Sequence, residues 1–415
     1  MSARPRILML VTELQLGGAA KVVREVSAML AGRFEVHEAV FNIADGVDFA
    51  GARAPHSLDV HGGGNIVGKL TNLKERSLRT RRLKQRLGID VSISHLEGAH
   101  WVDVLSRSSE KIVLCVHGSI LHNPHIRGPS GWLRKRVVLP LIYNRADRVV
   151  TVSRDLVSEL IQLGVRPARI RTINNSFNLD AIAAHAREPL SDEEQALFDG
   201  SPVLVNVGRL DRPKNQLPLL DIFAELRRQR PLKLLILGDG DLRSSLIMRA
   251  ESLGLRVYSA WNGHRLTPDH DVYFLGVRSN PFKFVGRSDL FLMTSSAEGF
   301  PLALCEAMIC GVPVLSTDCR TGPREILAPQ TDTPAKPIET AELTRFGMLM
   351  PGLHDKQTLA QAQRVWTETI VQLLDDAPAR SRLSEVARER MQDFGREKIA
   401  AQWVALVEEL AATSQ

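Results

Sequence analysis

Short apolar runs, each ending in a glycine or polar turn and leading into a helical stretch, recur along the whole 415-residue chain. No other feature limits the fold as strongly. A strand, a helix and a further strand in succession make the strands parallel, with helices covering the sheet. In the first half, strands are predicted at residues 6–12, 34–41, 90–94, 111–116 and 148–152. Helices are predicted at 21–30, across the basic stretch 69–86, and at 153–163 with Ser153 as N-cap. The second half repeats the order with strands at 202–208 and 232–237, a helix to Leu253, and strands at 271–277, 289–294 and 312–317. Residues 174–200, polar and acidic toward their end, read as a linker, and 363–412 as one long helical tail. The chain is too long for a single core. The expected fold class is therefore α/β, with two doubly wound, Rossmann-like domains at residues 1–178 and 200–395 and a final helix at 396–415.

The sharpest chemical signal lies in the second half. Glu298 and Glu306 stand eight residues apart around Gly299-Phe300-Pro301-Leu302. The flanking apolar runs put Glu298 at the carboxyl end of a strand and Glu306 inside the next helix. Pro301 suits the first helical turn, where its missing N–H would be unpaired anyway. The amides around residues 300–303 then form an anion-binding helix start. A phosphate held there leaves the two glutamates to accept hydrogen bonds from hydroxyls on either side of it. That is the layout of a sugar nucleotide: sugar, diphosphate, ribose. By pattern alone, the run reads equally as a capped helix with an acidic first turn.

Other turns bear on the same question. Arg209 and Lys214, five residues apart, follow the strand that opens the second half. Ligands of open α/β sheets bind at carboxyl strand ends, where Arg offers a fork and Lys a point charge. Alone these are solvated loop cations; beside Glu298 and Glu306 they read as diphosphate contacts. Asp239-Gly240-Asp241 has the look of a D-x-D metal motif, but Gly238-Asp239-Gly240 reads better as a tight βα turn with Asp241 as N-cap. Gly17 and Gly18 follow the first strand, where glycines let backbone approach a phosphate; an ordinary tight turn is the plain alternative. His95 and His117 end neighbouring predicted strands on the acceptor side, where a lone histidine is more often structural than catalytic.

These runs together resemble the retaining glycosyltransferases of family four, and the resemblance extends through most of the chain. Its carriers are the E-x-F/G-x-x-x-x-x-x-E signature at 298–306, Gly-Arg-Leu-x-x-x-Lys-Asn-Gln at 208–216, Gly17-Gly18-Ala19, the Gly-Asp-Gly turn at 238–240 and Val116-His117-Gly118. The resemblance implies a GT-B fold, two Rossmann-like domains facing across a crevice, with the donor mainly on the second and the last helix crossing back to the first. It implies that Arg209 and Lys214 contact the donor diphosphate, and that backbone near Val277 meets the base. It also implies that His117 contacts the donor sugar, and that the Gly-Asp-Gly turn has no metal role. The expected reaction is transfer of a hexose or N-acetylhexosamine from a UDP-linked donor to a hydroxyl of a glycan or lipid-linked acceptor, by attack on the face of departure. No metal and no further cofactor are expected. Two departures stand out. Residues 256–270 are longer than the family's usual loop, and Gly322-Pro323-Arg324-Glu325-Ile326-Leu327 is similar to a sub-group acting on polysaccharide or lipid-linked precursors. The rival readings are a nucleotide-sugar 2-epimerase of the same plan and a non-enzymatic interaction protein.

The net charge of +6 conceals an asymmetry. Residues 1–180 hold 26 Lys and Arg against 16 Asp and Glu, whereas 181–415 hold 27 against 31. Eight of the cations fall within residues 69–86, with only Glu75 among them, and Leu70, Leu73, Leu83 and Leu87 have the spacing of an apolar helix edge. Arg134-Lys135-Arg136 after Trp132 forms a second group. Such a segment suits an anionic membrane surface or plain solvent; nucleic acid is not expected, since no recognition motif accompanies the charge. No apolar run is long enough to span a bilayer, the first residues do not form a signal peptide, and the four cysteines lack metal-ligand spacing. The expected location is cytoplasmic, with peripheral attachment to the inner face of the membrane as an open alternative.

Overall fold

The computed structural model describes residues 4–14, 17–43, 54–121, 128–334 and 336–413. Leu16, part of the first glycine turn, lies outside the described residues. The chain forms two compact units, Met1–Ser176 with Arg396–Gln415, and Phe177–Gly395.

Among the described residues the first unit is built on seven parallel strands: β1 (Arg6–Val11), β2 (Glu35–Val40), β3 (His56–Ser57), β4 (Val91–His95), β5 (Lys111–Val116), β6 (Arg148–Thr151) and β7 (Ile170–Thr172). Their order is β3-β2-β1-β4-β5-β6-β7. Ile7 to Val11 are all buried, as expected of a central strand covered on both faces. Chain order reverses between β1 and β4, which makes that junction the topological switch point. Gly17, at φ 151°, precedes the helix Gly18–Leu30, so the glycine there meets a conformation that other residues resist.

The basic segment lies in the helix Ile66–Leu87, capped by the Asn65 side chain and ended by Gly88 in the left-handed region. The expected leucine edge does not face outward. Leu83 is buried in the core with Leu8, Leu10 and Ile89, and Leu73 and Leu87 pack against it; only Leu70 is exposed. Lys84 is buried as well, its Nζ 2.6 Å from Asp103 Oδ1 and 2.7 Å from Glu110 Oε1. Ser153 occupies the N-cap of Arg154–Gln162, but its hydroxyl makes no capping bond.

The second unit holds β8 (Val203–Val207), β9 (Lys233–Leu237), β10 (Val257–Ser259), β11 (Val272–Gly276), β12 (Leu290–Met293), β13 (Val314–Thr317), β14 (Glu342–Leu343) and β15 (Met348–Met350). The order is β10-β11-β9-β8-β12-β13-β15-β14, parallel except where β14 meets β15. The switch point here lies between β8 and β12. One core gathers Leu204, Phe223, Leu234, Ile236 and Trp366.

Several expectations are corrected. The supposed linker is folded from Phe177 onward as part of the second unit. Asn178 caps the helix Leu179–Arg187, Ser191 and Glu194 form a capping box, and Lys233 Nζ donates to the Leu197 carbonyl at 2.9 Å. The tail is three helices, Leu359–Asp375, Ala377–Met391 and Arg396–Ala412. The first break falls at Asp376, whose side chain caps the next helix. The last helix belongs to the first unit, burying Ile399, Trp403 and Leu406, with Arg396 3.0 Å from Glu25. Asp241 is not an N-cap: that helix runs Arg243–Ser252 after Leu242. Pro301 is the N-cap of Leu302–Cys310 and not a first-turn residue. The extended loop at 256–270 contributes the edge strand β10, which adds to β11. Among the described residues, no helix is long and apolar enough to cross a membrane.

Candidate active site

In the second unit the loops leaving β8 and β12, the two strands of the switch point, are bound to each other. Ser296 N donates to the Pro213 carbonyl at 2.8 Å, and Thr294 Oγ1 to the Lys214 carbonyl at 3.1 Å. Across this junction Lys214 Nζ lies 2.6 Å from Glu298 Oε1. Burial pulls the Lys214 pKa down, but the charge and hydrogen bond of Glu298, with Asp211 beyond, outweigh it and hold the pKa above the usual lysine range. The ammonium is therefore fully charged at neutral pH. Its methylenes pass over Gly208, where a Cβ would sit 3.5 Å away. Arg209 is largely exposed and tethered to Asp211, Nε to Oδ2 at 2.9 Å.

Glycines make this loop possible. A Cβ on Gly238 would lie 1.9 Å from the Gly208 carbonyl oxygen, and one on Gly240 2.5 Å from that of Leu210. The Gly-Asp-Gly turn is thus a buttress for the cation loop. Asp239 accepts from Gly240 N at 2.8 Å and pairs with Arg243 at 3.1 Å. Among the described residues no group of three or more His, Cys, Asp or Glu could hold a metal ion.

Glu298 is held from behind by Thr321, whose hydroxyl donates to the Glu298 carbonyl. Gly322, at φ 95°, lets this turn close on Gly299 and Pro301; a Cβ there would come within 2.6 Å of Pro301 Cδ. Phe300 is buried edge-on against Phe394, centroids 5.1 Å apart, and so anchors the turn. Cys305 is the first amide bonded within the helix, to the Pro301 carbonyl. That leaves the Leu302, Ala303 and Leu304 amides at a helix start with no intrahelical partner. Glu306 is half-buried one turn further on. Val277 follows β11 with its side chain exposed. Next to it Trp261, from the extended loop, lies against Gly276 with the Arg243 guanidinium 4.7 Å above its ring.

The other expected residues belong to the first unit. His95 closes β4 and His117 follows β5, so both stand beside the first switch point. His95 Nδ1 and His117 Nε2 are 2.8 Å apart. Burial lowers the pKa of both, His117 to about 4, and His100 adds repulsion. Both are neutral at pH 7. The loop after His117 is held by Glu159, which accepts from Ser119 Oγ at 2.8 Å and from Ile120 N at 3.2 Å. Sequence reasoning missed Glu159, Thr321 and the buried Arg324, which bridges Asp318 and Glu342 at 2.6 and 2.7 Å. Only Gly322-Pro323-Arg324 carried a signal, as part of a motif.

Two doubly wound units, each with polar groups at its switch point and a dense cation, glycine and carboxylate set in the second, have the GT-B architecture. Residues 16–181 match the family model described as Glycosyltransferase Family 4, and residues 188–333 the one described as Glycosyl transferases group 1. The chain belongs to this family and is a glycosyltransferase. A glycosyltransferase of Methanocaldococcus jannaschii is 29% identical over 302 residues, 70% of each chain. The Campylobacter jejuni N-acetylgalactosamine-N,N'-diacetylbacillosaminyl-diphospho-undecaprenol 4-alpha-N-acetylgalactosaminyltransferase is 24% identical over 391 residues, 92% of this chain and 94% of that one. Anabaena HepE, solved with UDP and glucose, superposes with a TM-score of 0.69 at 19% identity, covering 97% of this chain and 99% of its own.

Proposed function

We propose that the chain moves a hexose or N-acetylhexosamine from a UDP-linked donor to a hydroxyl of a glycan or lipid-linked acceptor, with retention at the anomeric carbon, without a metal and without any cofactor beyond the donor. The observation that carries this reading is the Lys214–Glu298 pair at the β8/β12 switch point, beside an open helix start. As the bond from anomeric carbon to diphosphate oxygen breaks, charge grows on the diphosphate. Lys214, Arg209 and the amides of 302–304 are fixed donors for that charge, and preorganised groups of this kind account for most of the rate enhancement in many enzymes. Glu298, released in part from Lys214 when phosphate arrives, accepts from sugar hydroxyls, Glu306 accepts from the ribose, and His117 meets the sugar. No carboxylate acts as nucleophile. The acceptor oxygen bonds the anomeric carbon on the face the diphosphate leaves, and its proton passes to the diphosphate. The UDP bound to Anabaena HepE supports the choice of base, and the undecaprenol acceptor in the name of the Campylobacter relative supports a lipid-linked one.

In the same reading the first unit docks on the anionic inner face of a membrane. On the Ile66–Leu87 helix, Lys69, Lys74, Arg81 and Arg82 are exposed together with Val67, Leu70 and Leu78. Between residues 128 and 143, Trp132, Leu133, Val137 and Leu141 are exposed beside Arg136. A Trp and leucines among cations suit the interface of an anionic bilayer.

A thermal-shift panel of nucleotide sugars tests the proposal, since saturating ligand stabilises by about 2.7 kcal/mol at a hundred times Kd. UDP-sugars are expected to raise Tm above guanosine-linked ones, and UDP to be released only when acceptor is present. Release of UDP without acceptor points to the 2-epimerase reaction, and no stabilisation by any nucleotide sugar contradicts the donor site.

A further inference from the structure

We infer that His95 is a positioning residue for His117: it donates from Nδ1 to His117 Nε2 and so holds His117 in the tautomer that carries its proton on Nδ1. The two nitrogens are 2.8 Å apart, at the ends of neighbouring strands. The other ring nitrogen of His95, Nε2, is buried and has no hydrogen-bond partner among the described residues. A neutral imidazole has one N–H and one acceptor nitrogen, so the pair has two arrangements. If His117 donated, the His95 proton would sit on Nε2 as a buried N–H with nothing to receive it. If His95 donates, Nε2 is a bare acceptor, and buried donors are orphaned more rarely than buried acceptors.

The surroundings keep the pair uncharged. Burial depresses both imidazoles, and His100 behind them is brought to about 4, chiefly by burial. Asp103 and Glu97 face His100 and pull its pKa upward without overcoming that burial. His100 Nε2 lies 3.0 Å from the Cys115 carbonyl, so that nitrogen carries the proton, and the Tyr143 hydroxyl lies 3.5 Å from its Nδ1. His117 therefore offers an N–H at Nδ1 and no lone pair. It gives a hydrogen bond to a sugar hydroxyl or phosphate oxygen, and it cannot serve as a general base. This consequence rests on the proposed contact between His117 and the donor sugar.

Nitrogen-15 spectra of the full chain labelled at histidine, with His117 assigned from His117→Gln, read the tautomer directly. The expected result near pH 7.5 is a protonated Nδ1 and a bare Nε2 on His117. His95→Asn, whose amide donates from nearly the same place as Nδ1, is expected to keep it. His95→Asp, which only accepts, is expected to move the proton to Nε2, whereas a purely space-filling role for His95 predicts no difference between the two variants. A wild-type spectrum with the His117 proton on Nε2 overturns the assignment, whether or not either variant folds. The underlying contact is read separately: UDP-N-acetylglucosamine should stabilise the chain more than UDP does, and His117→Ala should remove that difference. If wild type shows no difference, the sugar contact fails while the tautomer stands or falls on its spectrum.

Discussion

The two units share a doubly wound plan but arm their switch points in opposite ways. At β8/β12 the second unit sets a charged lysine against a glutamate, on loops hydrogen-bonded to each other and backed by glycines whose Cβ would strike the backbone of the β8 loop. At the ends of β4 and β5, beside its own switch point, the first unit sets two neutral histidines, His95 buried and His117 half-buried. In the proposed reading the second unit meets a growing diphosphate charge, which needs fixed cations, and the first meets sugar hydroxyls, which need neutral donors that do not compete for that charge. The contrast teaches that the same topology serves either purpose, and that the side chains at two strand ends decide which. Net charge divides along nearly the same line: the first half of the chain is strongly basic and the second mildly acidic.

The largest effect is expected at the basic surface. Reversing Lys69, Lys74, Arg81 and Arg82 removes about 1 kcal/mol of attraction each, so co-sedimentation with phosphatidylglycerol vesicles should be lost while UDP affinity is kept. Binding by wild type should also weaken with salt, as screening over ~8 Å requires. Equal pelleting of wild type and variant would leave the segment as a solvated face. Next, Lys214→Ala should lower turnover by ~100-fold or more, the scale of losing one electrostatic stabiliser, and His117→Ala by about tenfold, the worth of a neutral hydrogen bond. Normal turnover of Lys214→Ala with only a raised KM would erase the contrast between the switch points.

Acid should separate the units. His95, His100 and His117 have folded pKa values depressed from about 6.5, so the first unit is fully stable above that value and loses stability as pH falls toward about 4. Between pH 7 and pH 5 one such group amounts to roughly 2 kcal/mol, or about 1 M in urea midpoint. In the second unit burial raises the Asp271 pKa, but Arg256 and Arg227 outweigh it and lower it below 3.8. Its contribution is present above that value and is lost only in stronger acid. Urea unfolding followed by peptide-resolved hydrogen exchange at pH 7 and pH 5 should show the first unit alone weakening. The smallest effect is expected from chelation: EDTA should leave turnover unchanged, and loss restored by magnesium or manganese would contradict the metal-independent reading.

Much of this was legible in the chain. The central strands were, because an apolar run buried on both faces is a local signal; residues 111–116 were placed to the residue. Lys214 and Glu298 were legible because each follows such a run. The Lys84–Asp103–Glu110 cluster was not, since charge within a basic helix gives no sign of which lysine turns inward. Nor was β10, three residues in a loop that pair only because β11 offers an edge. The fold of residues 177–200 was hidden by the polar residues that cap its helices, which look like those of a linker.

Hydrogen exchange of the full chain with and without UDP, in wild type and Glu306→Ala, tests the central claim most directly. Protection is expected in peptides covering 208–216 and 294–306. Glu306→Ala should weaken UDP binding by about 1.5–3 kcal/mol, the worth of charge-assisted hydrogen bonds to the ribose. Binding of UDP that leaves both loops unprotected, or that Glu306→Ala does not change, would contradict a donor site at the charged switch point of the second unit.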